Sequence, residues 1–367
     1  MAIQSPEHQT SQVNRPPSIK DLLEETRRRI QVSDAELNEA RRRRDLLAAA
    51  LKKEFPGSRT YVNGSVAHGD ALDPLTDIDL GVVVAEAKYT HGPGLKGCAN
   101  LQERAANAIR ETLKDEFPDL RVEWKARKRS ILVRFRKPVS HGQEDFTADV
   151  IVAIDNPNAA GLFIPNYATW SRSHPEKHTE MVKTANEKTT YTYARVVRLL
   201  KHWNRKNQKP LCSWNIKALA LACHTKPTSL AAGMLTWFDH AIAELDKALT
   251  KDPAGVAEKP ISINEKMTRT EVVDRLRRAR SGLARAVELE KAGYPLQAHD
   301  ELAKFFNDKD VLPGPDTLAV LAETARKFEV DRLKSINVVS AAGTAAVPAV
   351  GHRPEQRTPD TRSWGSR

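Results

Sequence analysis

The stretch TDIDLGVVVA, residues 76–85, constrains this chain more than any other. Its second half is an apolar, β-branched run and reads as a strand. Its first half carries two aspartates, which are poorly suited to strand interiors. Side chains alternate along a strand, so Asp77 and Asp79 share one face, with Ile78, Leu80, Val82 and Val84 on the other. Two like charges placed this way repel unless a cation lies between them. Paired carboxylates at a strand end suit hard divalent cations, and Mg²⁺ completes its shell with water and substrate phosphate. Two such ions roughly 3.5–4 Å apart activate an attacking hydroxyl and steady a leaving pyrophosphate.

A third carboxylate is needed for the ion that activates the nucleophile. Asp149, inside FTADVIVAI, is the first choice, because an unpaired charge among strand-forming residues is costly. Asp145, on the same face but nearer the strand start, and Asp155, in the turn that follows, are weaker choices. Upstream, Gly64-Ser65 ends a short strand and opens a helix. Glycine admits close approach of backbone N–H groups to a phosphate. The Ser65 hydroxyl and a helix N-terminus add donors. The order is a phosphate cradle followed by metal ligands. Alone, a Gly-Ser pair is an ordinary turn and an Asp-x-Asp an ordinary solvated loop; it is the combination that points to function.

The rest of the chain sets the frame. Its 367 residues suffice for a two-lobed enzyme, and 40% hydrophobic content supports a sizeable core. Lys+Arg exceeds Asp+Glu by 58 − 47 = 11, which leans towards anionic partners such as nucleotides, RNA or DNA. Three cysteines without a CxxC pair exclude a disulfide framework and a zinc knuckle, and point to a reducing cytoplasm. The polar N-terminus is no signal peptide, and no apolar run is long enough for a membrane span.

Residues 1–17 read as a disordered arm. Residues 18–57 form an N-terminal helix or helices bridging two lobes, with Ser33-Asp34 either a break or internal to one long helix. Residues 58–160 mix strands with a helix over 95–117 and form an α/β (α+β) lobe with a mixed sheet. Beyond Pro165 the chain is almost wholly helical, and residues 161–334 form a helical lobe. Its helices fall at 191–207, 213–224, 229–250, 269–291, 295–306 and 316–328, with KDPAGVAEKPISIN as a connecting loop. Residues 335–367 read as a disordered tail.

GSVAHGDALDPLTDIDL followed by FTADVIVAI resembles the DNA polymerase β-type nucleotidyltransferase superfamily. ATWSRSHPEKHTEMVKTAN, RVVRLLKHWNRKN and CSWNIKALALAC resemble the helical lobe of its cGAS/DncV-like members. The resemblance covers about residues 19–330. It implies an active site between the lobes. It also implies two Mg²⁺ ions, or Mn²⁺, on Asp77, Asp79 and Asp149, and donor phosphates on Gly64, Ser65, Lys201 and Ser213. Trp214 would stack on the base. The implied substrates are ATP, GTP or other nucleoside triphosphates, joined into a cyclic di- or trinucleotide. That product would be read by a downstream effector in bacterial anti-phage signalling, with a regulatory protein as a further partner. An RNA terminal nucleotidyltransferase and a non-catalytic nucleotide- or nucleic-acid-binding relative are the alternatives. One departure stands out: Gly69-Asp70 occupies a place where Gly-Thr or Gly-Ser is common, and an extra acid near the phosphates would weaken or reshape nucleotide binding.

RRRRD at 41–45 and KARKRSILVRFRK at 125–137 are basic clusters, read as solvated surface before a polyanion patch. His174, His178 and His202 match no zinc spacing and read as structural or exposed.

Overall fold

The computed structural model describes residues 16–342. The arm expected at 1–17 lies outside them but for its last two residues, and the expected tail lies outside them beyond Ala342. Helix α1 (Ile19–Arg29) and helix α2 (Asp34–Glu54) each begin on a capping box, Ser18 with Asp21 and Ser33 with Glu36. Ser33 therefore breaks the chain into two helices. The break also moves the chain between cores. Leu22, Leu23 and Ile30 belong to the helical core, whereas Val32, Ala40, Leu47 and Leu51 belong to the sheet core.

Strand β1 (Arg59–Asn63), the short helix α3 (Gly64–His68) and strand β2 (Asp77–Val83) follow, then helix α4 (Ala99–Leu113). Strands β3 (Arg121–Glu123), β4 (Ile131–Arg134) and β5 (Thr147–Asp155) complete a sheet of order β1-β2-β5-β4-β3, parallel only between β2 and β5. Ile78, Leu80, Val82, Ala148, Val150 and Val152 form one apolar face, and α2 and α4 cover it with Leu47, Leu51, Leu101 and Ile109. Each such leucine, fully buried, contributes about 1.5–3 kcal/mol. The other face keeps Asp77, Asp79 and Asp149 out of this core.

The sheet does not end at residue 160. β6 (Leu162–Asn166) pairs with β5 and with β7 (Thr169–Ser173), inside a stretch expected to be almost wholly helical past Pro165. Leu162 and Ile164 pack with Tyr61, Val83 and Ala153 in a small core on the aspartate side.

Helices α5 (Pro175–Lys188), α6 (Thr192–Lys206), α7 (Ser213–Cys223), α8 (Leu230–Lys247), α9 (Arg269–Lys291) and α10 (Pro295–Phe306) build the helical lobe. Its core joins Trp203, Trp237, Phe238, Leu276, Leu283 and Phe306. The architecture is a mixed-sheet α/β lobe plus a helical lobe. Helix α11 (Thr317–Ala342) stays helical past residue 335, where a tail was expected. The chain divides after Val320 into two compact units, and both lobes lie in the first. No helix among the described residues is long and apolar enough to cross a membrane.

The basic run at 41–45 is surface at Arg41, Arg42 and Asp45, but not at Arg43. Arg43 is 1% exposed. Its guanidinium lies 5.0–5.3 Å from the ring centres of Phe117, Phe135 and Phe146 and donates to the Lys137 carbonyl. The Glu39 carboxylate, 2.8 Å from its Nε, with three rings and a carbonyl replaces the water that this cation loses.

Candidate active site

The register of β1 on β2 places Asn63 opposite Asp79, so the bend that follows falls against that carboxylate. Gly64 adopts φ +77°, a conformation that L side chains rarely take, and a Cβ there would meet the Asp79 side chain. Ser65 follows in the first turn of α3, and Gly69 ends that helix in the left-handed region.

Asp77 and Asp79 stand on the uncovered face of β2. The parallel register sets Asp149 of β5 opposite Asp79. Burial, added to the charges of Asp77 and Asp149, pushes the Asp79 carboxyl up to about 7. Burial and Asp149 push Asp77 up as well. The charges of Lys201 and Lys217 act against both shifts. Carboxylates that crowd one another in this way gain from a cation placed among them.

Asp149 is 39% exposed at its side chain, accepts a 2.5 Å bond from Ser130 Oγ, and lies 3.9 Å from Arg127 Nη2. It stands outside the lining of the main cleft. Among the described residues, no three His, Cys, Asp or Glu side chains gather closely enough to hold an ion unaided. The oxygen-only set still fits Mg²⁺, which is commonly held by one or two carboxylates together with substrate phosphate. The two weaker sequence candidates are engaged elsewhere. Asp145 accepts from the Arg136 and Phe146 N–H groups, and Asp155 pairs with Arg59 at 2.7 Å.

The cleft beside these aspartates has a volume of about 730 Å³. Gly64, Ser65, Asp77 and Asp79 line it from the α/β lobe, and Lys201, Ser213, Trp214 and Lys217 from the helical lobe. Seven of the eight residues singled out in the sequence thus meet in one cavity, and Asp149 joins them through the strand register.

Asp70 departs from expectation. It is fully buried, not directed at substrate as an added acid. Its Oδ1 and its carbonyl both accept from Lys201 Nζ, at 2.7 and 2.8 Å. Its Oδ2 lies 3.0 Å from Lys217 Nζ. Burial opposes ionisation of Asp70, but the two lysines hold its carboxyl below the usual range. Arg198 and Arg205, on the same side of α6, donate to the carbonyls of Gly69, Ala71 and Asp73. Helix α6 thus binds the loop between α3 and β2 through charge-assisted bonds.

Trp214 opens α7 just after Ser213. Its ring centre lies 4.4 Å from that of His178, tilted by 38°. His178 is buried, as a structural reading requires, and bonds to Asp252 Oδ1 at 2.6 Å. Asp252 Oδ2 accepts from the Val256 and Ala257 N–H groups. This fixes the loop between α8 and α9, whose residues 259–262 line the cleft. His202 is also buried, 3.3 Å from Asp308, and His174 caps α5.

The fold has counterparts among solved structures. CdnC of Escherichia coli MS115-1 with ATP superposes with a TM-score of 0.58 at 16% identity, covering 81% of this chain and 99% of that one. The cyclic AMP-GMP synthase DncV of Vibrio cholerae, described as a prokaryotic cGAS homolog, superposes at 0.58 with 14% identity over 76% and 92%. Its 3′-deoxy ATP form reaches 0.60. The chain has the fold of the cGAS/DncV-like nucleotidyltransferases. No protein-family profile and no curated protein matches it.

Within that fold, sequence reasoning overlooked several cleft residues: Arg172 on β7, Arg205 on α6, Lys217 on α7, and Lys259 and Ser262 on the loop after α8. Lys217 carried a readable signal. It stands one helical turn after Ser213, so both project from one side of α7. The loop residues carried none.

Proposed function

We propose that this protein is a Mg²⁺-dependent nucleotidyltransferase that joins nucleoside triphosphates into a cyclic di- or trinucleotide. The observation that carries the reading is the parallel register of Asp79 on Asp149, beside a glycine bend that only Gly64 can make. Asp77, Asp79 and Asp149 would hold the ions. When bound, Mg²⁺ supplies charge neutralisation along the triphosphate and acidifies the attacking hydroxyl.

The chain's own groups do the rest. Gly64 and Ser65, with Lys201 and Ser213 across the cleft, hold the donor triphosphate. Trp214 offers its ring to the base. The acceptor ribose hydroxyl oxygen bonds to the donor α-phosphorus, the bond from that phosphorus to the β-bridging oxygen breaks, and pyrophosphate leaves. The hydroxyl proton passes to Asp149 or to water beside it. One further round on the linear intermediate closes a dinucleotide ring, and two extend and close a trinucleotide ring. Holding both nucleotides in one cleft turns a bimolecular reaction into an effectively unimolecular one.

CdnC has been solved in a complex with a HORMA protein. A regulatory protein partner and a downstream effector that senses the cyclic product complete the proposal, in bacterial anti-phage signalling in the cytoplasm. Pyrophosphate release from a nucleoside triphosphate mixture with Mg²⁺ tests the chemistry. The Asp77→Ala, Asp79→Ala double variant should retain its fold and release none; turnover retained in that variant would refute the mechanism.

A further inference from the structure

A buried ion cluster lies beneath the cleft where the two lobes meet, and half of it has no task in the reaction as described. Asp70 is the only anion in it, with Lys201 on Oδ1 and Lys217 on Oδ2. Two cations share one carboxylate, and burial, with the Lys201 charge, pulls the Lys217 ammonium below its usual range against the charges of Asp70 and Asp79, the cost of one cation in excess of the cluster's own anion. Lys217 is 4% exposed, and its second neighbour is the His68 ring, with Nζ 2.9 Å from Nδ1.

The surrounding bonds show what His68 does. Thr179 Oγ1 donates to the Val62 carbonyl, so it accepts from His68 Nε2 at 3.1 Å. His68 therefore carries its proton on Nε2 and offers the Nδ1 lone pair to Lys217. A neutral ring solvates the lysine but does not cancel its charge. Burial and the Lys217 charge keep that ring neutral, pushing it down to about 3.

An excess buried cation is destabilising unless an anion reaches it. Lys201, Lys217 and His68 all line the cleft shared with Gly64 and Ser65. The charges of Asp77 and Asp79 also act on the two lysines, but these carboxylates make no ion pair with them and are assigned to metal. What remains is a substrate phosphate.

We propose that Lys217 is a second triphosphate-binding cation, and that Asp70 is a positioning residue that holds Lys201 and Lys217 as a pair at the cleft floor. The Asp70 carboxylate fixes both ammonium groups without neutralising both, so the pair is pre-organised before nucleotide arrives. The acid that departs from the usual motif thus favours phosphate binding. The proposal rests on the nucleotidyltransferase reading.

The test is a titration of wild type, Lys217→Met, Asp70→Asn and the Asp70→Asn, Lys217→Met double variant. Each is titrated with a non-hydrolysable nucleoside triphosphate and with the corresponding nucleoside, and thermal melts are run in parallel. Lys217→Met leaves Asp70 matched one-to-one with Lys201, so its melting temperature should stay near that of wild type. Its triphosphate affinity should fall roughly ten- to hundredfold, the worth of one charge-assisted bond, with nucleoside affinity unchanged. Asp70→Asn should lose stability and triphosphate affinity together. The double variant, which buries one unpaired ammonium where Asp70→Asn buries two, should regain part of the stability that Asp70→Asn loses but none of the triphosphate affinity, an outcome that a purely structural Asp70 would not give. Wild-type triphosphate affinity in Lys217→Met, or an equal loss for nucleoside and triphosphate, overturns the proposal. Wild-type protein that binds no triphosphate overturns the underlying reading and the proposal with it.

Discussion

Gly64 and Asp79 leave no room for a side chain between them: a Cβ on Gly64 would collide with Asp79 Oδ2. Gly64→Ala must therefore displace either the bend at Gly64 or the Asp79 carboxylate, the groups proposed to hold phosphate and metal. It must also adopt φ +77°, which adds about 1–2 kcal/mol of backbone strain. A displacement of about 1 Å at a reacting centre costs on the order of a hundredfold in rate. Steady-state kinetics should show a fall of that size with a modest drop in melting temperature. Near-normal turnover would mean that Asp79 does not need its present position.

Trp214 should act on binding more than on rate. Stacking is worth about 1–3 kcal/mol per base, so Trp214→Ala should raise KM roughly five- to hundredfold with a smaller change in kcat. Trp214→Phe should recover most of the loss. If both variants keep the wild-type KM, the ring serves only to pack against His178.

Acid should unfold the protein through its buried histidines. Burial, with nearby positive charge, pushes His68 down to about 3, and His202 and His224 down to about 4, from 6.5. At these histidines the folded state thus binds fewer protons than the unfolded chain between these values, and the Asp79 carboxyl, raised to about 7, offsets part of that difference. The stability is fully present above pH 6.5 and is lost as pH falls towards 4 and 3. Urea midpoints should drop across that window, with uptake of about one proton per histidine on unfolding. His224→Gln, whose Nε2 has no partner to lose, should remove about one of them. A midpoint that stays flat from pH 6.5 to 4 would contradict these assignments.

What was legible in the chain follows from how local its cause is. Alternation put Asp77 and Asp79 on one face of β2, and the five strands expected over 59–155 form. Helices α9 and α10 match their expected spans, because Thr268 and Pro295 mark starts that the sequence displays. β6 and β7 were invisible for the opposite reason. Pro165 interrupts β6, and TWSRS in β7 has no apolar alternation, with Thr169 exposed and only Trp170 reaching a core. Arg43 reads as surface because charge is a local property, whereas its three aromatic partners come from 74, 92 and 103 residues away (117 − 43, 135 − 43, 146 − 43). Asp70 misled in the same way. Beside Gly69 it looks like an acid facing phosphate, and only the packing of α6 and α7 supplies the lysines that enclose it.

The measurement that decides between a signal-nucleotide synthase and its rivals is a product assay. Pure protein is incubated with Mg²⁺ and all four labelled nucleoside triphosphates, with and without RNA, then treated with phosphatase and separated. The proposed function predicts small phosphatase-resistant products without RNA, whose mass gives the ring size, and none from the Asp77→Ala, Asp79→Ala variant. Label appearing only on added RNA would contradict it and assign the cleft to a terminal nucleotidyltransferase.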